Sequence, residues 1–167
     1  MATTLSKAPT RTLIAVGIAC LLMAAAGIWY NSEYLTVDYS ETLETQSAEN
    51  PEIKGDDLSD FYTVFYVLSG ICISFYIILA ITGIQLIRLK ISWVFVLLGI
   101  VVAEVVYYIV LGRLWGLPQY GRSIAAATGV SSGGLVFQGL SLFPIWAPLA
   151  ALWARNRIRK ESEANDL

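Results

Sequence analysis

The chain contains no histidine and only two cysteines, Cys20 and Cys72. Without imidazoles, and without a CxxC pair, the usual ligand sets for zinc, haem and copper have no donors, so metal chemistry of those kinds is not expected. Both cysteines lie inside apolar stretches, where a thiol packs as a small hydrophobe. A disulfide would require two helices to bring them together. Charge is scarce as well, at 14% of residues against about a quarter in soluble proteins. The net charge of -2 offers no electrostatic footprint for nucleic acid, which is not an expected partner. No serine or cysteine stands beside a plausible base and no glycine-rich loop cradles a phosphate, so an enzyme is not expected, and no motif names a cofactor.

What fills the chain instead is apolar sequence, at 56% of residues, in long runs without alternation. Lipid supplies no hydrogen-bond partner to exposed backbone, so spanning segments must close their amides within helices or a barrel, and unalternated runs select helices. The fold expected is all-α: one membrane domain over 1–167, built as a bundle of four transmembrane helices at about 13–30, 61–86, 91–114 and 135–154. Each is long enough for a hydrocarbon core roughly 30 Å thick. The first could instead serve as a cleaved secretory signal, because Ala24, Ala25 and Ala26 satisfy the small-residue rule behind a basic leader holding Lys7 and Arg11.

Segment 31–60 turns acidic, with Glu33, Asp38, Glu41, Glu44, Glu49, Glu52, Asp56, Asp57 and Asp60 opposed only by Lys54. It reads as a solvated outward loop, with Tyr30, Tyr34 and Tyr39 near the headgroup layer. Ser59 or Asp60 is the expected N-cap of the second helix, and Arg88 and Lys90 close it. A tight turn then makes the second and third helices an antiparallel hairpin, with Trp93 and Trp115 as interface anchors. A second outward loop, 115–134, contains Pro118, Gly121, Arg122 and a glycine-serine run. Its middle is small and apolar enough to form a short helix on or in the membrane surface.

Lysine and arginine set the orientation. Lys7, Arg11, Arg88, Lys90, Arg155, Arg157, Arg159 and Lys160 fall on one side, and Lys54, Arg113 and Arg122 on the other. Both termini are therefore expected in the cytoplasm, in a membrane of the bacterial inner (cytoplasmic) type. The cluster from Arg155 onward holds the terminus inside and can also attract anionic lipid headgroups.

Glu104 interrupts an apolar run near mid-membrane, where an acidic side chain costs on the order of 3 kcal/mol. Counting turns from the helix ends puts it at the depth of Ala24, Ser74 and Ser141, with Gln138 one turn further out, while Tyr107 and Tyr108 share its own helix face. Glu104, Tyr107, Tyr108, Ser74, Gln138 and Ser141 are thus the candidate intramembrane polar site. Small-residue stripes are expected to face inward: Gly17, Cys20, Ala24 and Gly27; Tyr66, Gly70 and Ser74; Gly134, Gln138, Ser141 and Ile145. Pro144 and Pro148 each remove a helical hydrogen bond and should bend the fourth helix, freeing the carbonyls of Leu140 and Pro144.

Asp56, Asp57 and Asp60 have the spacing DDxxD, which resembles the magnesium-diphosphate site of prenyl-transferring enzymes. The second acidic motif of those enzymes is missing, and acids at a helix N-terminus are expected from the dipole alone. Taken together, the residues suggest an accessory, scaffold or assembly subunit that acts through helix packing and its acidic loop. Membrane lipids and a membrane-protein partner, or a second copy, would be what it meets. The alternative is a small proton- or cation-linked transporter or channel subunit using Glu104, with Gln138 and Ser141 along the path.

Overall fold

The computed structural model describes residues 7–36, 55–115 and 142–165, without the side chains of 33–34, 55–62, 64–65, 108–115 and 165. Those residues form four helices and no strand: α1 (Lys7–Thr36), α2 (Gly55–Ile87), α3 (Trp93–Trp115) and α4 (Phe143–Asn165). Two of the helices contain stretches long and apolar enough to cross a membrane, Lys7–Ser32 and Tyr66–Ile87, and Trp93–Tyr107 is a shorter apolar stretch.

The helices run past the expected bounds into polar sequence. α1 continues to Thr36 and α2 starts at Gly55, so both ends of the expected loop 31–60 are helical, and 37–54 lies outside the described residues. Ser59 and Asp60 consequently fall inside the first turns of α2 and do not cap it. Asp56, Asp57 and Asp60 occupy the helix end whose partial positive charge favours acids. The second outward loop also lies mostly outside the described residues, as does the expected start of the fourth helix. At its other end α4 does not stop at 154. It carries the basic residues as helix to Asn165, where Arg159 Nε donates to Glu163 one turn on, at 2.7 Å.

Each helix packs against its neighbours in a ring, α1 on α2, α2 on α3, α3 on α4 and α4 on α1. The α1–α2 pair is antiparallel, since Gly17 meets Gly83 and Gly27 meets Tyr76. At the α2–α3 turn, Leu89 N–H donates to Leu86 O (2.9 Å) and Lys90 N–H to Gln85 O (3.0 Å), with Leu89 at φ 59°. This is a Schellman cap with leucine in the position glycine usually takes, a cost of roughly 1–2 kcal/mol in backbone energy. Packing of the Leu89 side chain against the core offsets that cost.

Spacings of three and four put one face of each helix inward. Leu13, Val16, Cys20, Met23 and Ala24 come from α1; Cys72, Tyr76, Leu79 and Leu86 from α2; Val94, Leu97, Ile100 and Val101 from α3; Phe143, Ala147, Ala151, Ala154 and Ile158 from α4. The small-residue stripe on α1 therefore does face inward. The one expected on α2 does not: Tyr66 and Ser74 are exposed and nothing lies near a Cβ built on Gly70. Ser74 Oγ donates to the Gly70 carbonyl at 2.9 Å, so this face satisfies its hydroxyl locally and needs no partner helix. On α4, Ile145 also points outward, and Gly134, Gln138 and Ser141 lie outside the described residues.

The outer faces are not polar. Ile18, Leu22 and Trp29 on α1, Ile71, Ile78 and Ile81 on α2, Phe95, Val102 and Val106 on α3, and Ile145, Leu149 and Trp153 on α4 are all exposed. From Thr12 to Ser32 and from Phe61 to Ile87 no residue is charged. A water-facing helix would place charge opposite its core stripe.

The α1–α2 approach is the tightest between helices among the described residues. A Cβ on Gly83 would stand 2.7 Å from the Gly17 carbonyl oxygen, a backbone atom that cannot swing aside. Gly83→Ala should therefore lower the unfolding free energy by about 1–3 kcal/mol, while Gly99→Ala, in open space, should be neutral or slightly stabilising. Denaturation in mixed detergent micelles, followed by tryptophan fluorescence, checks both.

Candidate functional site

Three helices converge on Glu104. On α3 it continues the inward series Val94, Leu97, Val101, so the helix period carries the carboxyl into the bundle, where it is 2% exposed. Facing it from α2 is Tyr76, 1% exposed, whose hydroxyl donates to the Glu104 carboxyl. From α1, Gly27 makes room for the tyrosine: any Cβ there would collide with the Tyr76 ring. One turn on, the buried amide of Asn31 donates from Nδ2 to the Gly27 carbonyl at 2.7 Å.

Glu104 Oε1 is buried and has no hydrogen-bond partner among the described residues. Tyr76 is the side-chain donor at this carboxyl, and Oε1 is left open to a proton, a donor or a cation. Gln85 Oε1, near the opposite end of α2, is the other buried side-chain oxygen of this kind among those residues.

Tyr107, one turn from Glu104, serves a different contact. Its hydroxyl donates to the Leu68 carbonyl on α2 at 3.0 Å, beside the Cys72 thiol, and its ring meets Phe75 edge-on with centroids 5.5 Å apart. It therefore pins α3 to α2 and is not directed at the carboxyl. Ser74 turns away on the exposed face of α2, bound to Gly70. The side chains of Tyr108, Gln138 and Ser141 lie outside the described residues. Neither Cys20 nor Cys72 is in a disulfide.

Only one of the two prolines plays the part expected of both. Pro144 is the second residue of α4, where an amide donor has no intrahelical acceptor to lose, and the first turn is anchored by Ile145 and Trp146 N–H groups that share the Leu142 carbonyl at 2.9 and 3.0 Å. Pro148 alone is interior, leaving the Pro144 carbonyl without its normal donor. Leu140 lies outside the described residues.

Sequence reasoning missed Tyr76 and Asn31, and it placed Gly27 on the inward stripe of α1 without linking it to the carboxyl. A usable signal was present, because Cys72, Tyr76, Leu79, Gly83 and Leu86 have spacings of four, three, four and three, a better inward series than Tyr66, Gly70 and Ser74. At the opposite end of the bundle, the Arg155 guanidinium lies 4.3 Å from the Phe95 ring centroid and joins the start of α3 to α4. Comparison with family models, curated proteins and solved structures finds no match.

Tyr76→Phe removes the one donor seen on the carboxyl and should lower the unfolding free energy by about 1–3 kcal/mol. In a Glu104→Leu background the same change should have almost no effect. A double-mutant cycle of detergent unfolding curves measures the coupling.

Proposed function

We propose that this chain is an integral membrane protein crossing the bilayer four times, with both ends in the cytoplasm. We further propose that it works without catalysis, as an accessory or assembly subunit for a membrane-protein partner or a second copy of itself. The observation that carries this reading is the inversion of the bundle surface. Large apolar side chains stand exposed on all four helices, while the only carboxyl of the apolar segments is turned inward and bound. Such a surface meets lipid or another apolar helix. The positions of the cations support the orientation: Lys7 and Arg11 precede the Gly17–Gly83 contact on α1, Arg88 and Lys90 follow it on α2, and Arg155 reaches Phe95, so all lie at one end of the bundle.

Topology is checked by labelling. Lys90→Cys, in cells expressing the full chain, should resist membrane-impermeant maleimide from outside and react after permeabilisation. Native background will be low, since Cys20 and Cys72 are buried. Reaction in intact cells would reverse the orientation.

A second reading, a proton- or cation-linked transport subunit, is favoured by the unpartnered Oε1 of Glu104. Glu104→Gln separates the two. For an accessory subunit, the variant should keep expression, fold and whatever copurifies with the wild type in mild detergent, and neither protein should carry flux in proteoliposomes. Wild-type proton or cation flux that is lost in Glu104→Gln would replace the accessory reading with the transport one.

A further inference from the structure

We propose that the second half of α4 carries a binding site for one anionic phospholipid, a reading that rests on the chain being embedded in a membrane. Four cations crowd this helix, and two of them are occupied. Arg155 lies over Phe95 and donates to Asn156 Oδ1, and Arg159 is paired with Glu163. The remaining two, Arg157 and Lys160, make no ion pair among the described residues. Together with Trp153 and Asn156 they line a shallow, open groove of about 290 Å³ on the outer face of α4. Since Asn156 Oδ1 accepts from Arg155, its Nδ2 is the atom left to donate outward.

The geometry assigns a lipid and not a free anion, because the cationic groove is the end of an apolar track. Trp146, Leu149, Trp153, Asn156 and Lys160 follow at steps of three, four, three and four, which is one face of a helix. The first three are 39%, 61% and 47% exposed. An acyl chain lying along Trp146 and Leu149 brings its glycerol to Trp153, at the depth where indoles favour the headgroup layer. The phosphate then meets the Arg157 guanidinium, whose planar fork suits it, with Lys160 and the Asn156 amide alongside. A net-negative headgroup is preferred over a zwitterionic one, which would bring its own cation to Arg157 and Lys160.

The test uses the full chain in nanodiscs of equal phosphatidylglycerol and phosphatidylcholine, with lipids retained by the released protein counted by native mass spectrometry. Wild type should keep one phosphatidylglycerol in preference to phosphatidylcholine. Arg157→Gln with Lys160→Gln should reduce that preference on the order of tenfold, and Lys160→Gln alone should reduce it several-fold. Arg159→Gln, which removes an equal charge already paired with Glu163, should leave it unchanged. Equal retention of both lipids by wild type would overturn the site. So would an equal loss in Arg159→Gln, which would mean bulk charge, or displacement of the lipid by inorganic phosphate, which would mean a soluble anion. Alkaline carbonate extraction judges the membrane reading separately. A chain released with soluble proteins overturns both, and an embedded chain without lipid preference overturns the lipid site alone.

Discussion

The approach of α1 to α2 sets the positions of the other groups. Gly17 and Gly83 bring two backbones close enough that a methyl group on either would strike the other's carbonyl. With the helices held at that distance, a residue as large as Tyr76 can be buried between them only opposite another glycine, and Gly27 is the one it meets. The ring then has a single direction in which to point, across the bundle toward α3, where its hydroxyl finds Glu104. Three glycines, one tyrosine and one carboxyl form a dependent series in which each contact presupposes the one before it.

This series accounts for what the sequence disclosed and what it concealed. The number of helices, the tight turn after Lys90 and the burial of Glu104 follow from length, charge and hydropathy, quantities that do not depend on how a helix is rotated. Depth was legible too, because Tyr76 comes from nearly the level on α2 assigned to Ser74. Rotation was not. Apolar residues surround α2 on every side, so Ser74 and Tyr76, separated by about 200°, were equally eligible to meet the carboxyl. The distinction lay in hydroxyl chemistry: a serine can satisfy itself on the carbonyl one turn back, whereas a buried tyrosine must find an acceptor on a neighbour. Helix ends were misjudged for a related reason. Acidic and basic flanks were read as stops, yet Asp56, Asp57, Arg159 and Glu163 are compatible with helix and, at those ends, favour it.

The two ends of the bundle use polarity differently from its middle. At the cationic end, arginines are distributed among a ring, a carboxylate and an open groove, so that α4 changes along its length from an apolar face to a charged one without leaving the helix. Long side chains of this kind keep their stems against apolar surface while the charge reaches water. In the middle, each polar group has a local or cross-helix acceptor: Thr82 on Ile78 O at 2.8 Å, Asn31 on Gly27 O at 2.7 Å, Tyr107 on Leu68 O at 3.0 Å. Gln85 and Glu104 are the exceptions among the described residues, each with a buried oxygen lacking a partner, and of the two Glu104 is the one that can carry charge.

The open oxygen of Glu104 bears on why a carboxyl is there at all. For the membrane-embedded bundle proposed above, inserting it costs on the order of 3 kcal/mol, and one hydrogen bond to a charged or strongly polar group returns about 1–3 kcal/mol, so the site contributes little net stability. Orientation is what it supplies. On the proposed membrane reading no hydrophobic force chooses one rotation of an apolar helix over another, and from Trp93 to Val106 α3 is apolar on every side except at this residue. A carboxyl that can be accommodated only beside Tyr76 selects one rotation of α3 out of many with similar packing, and Tyr107 on Leu68 holds the same choice one turn away. The residue that is costliest to bury is therefore the one that makes the bundle unique, and any partner, proton or cation that reaches Oε1 would act on the element that fixes the rotation of α3.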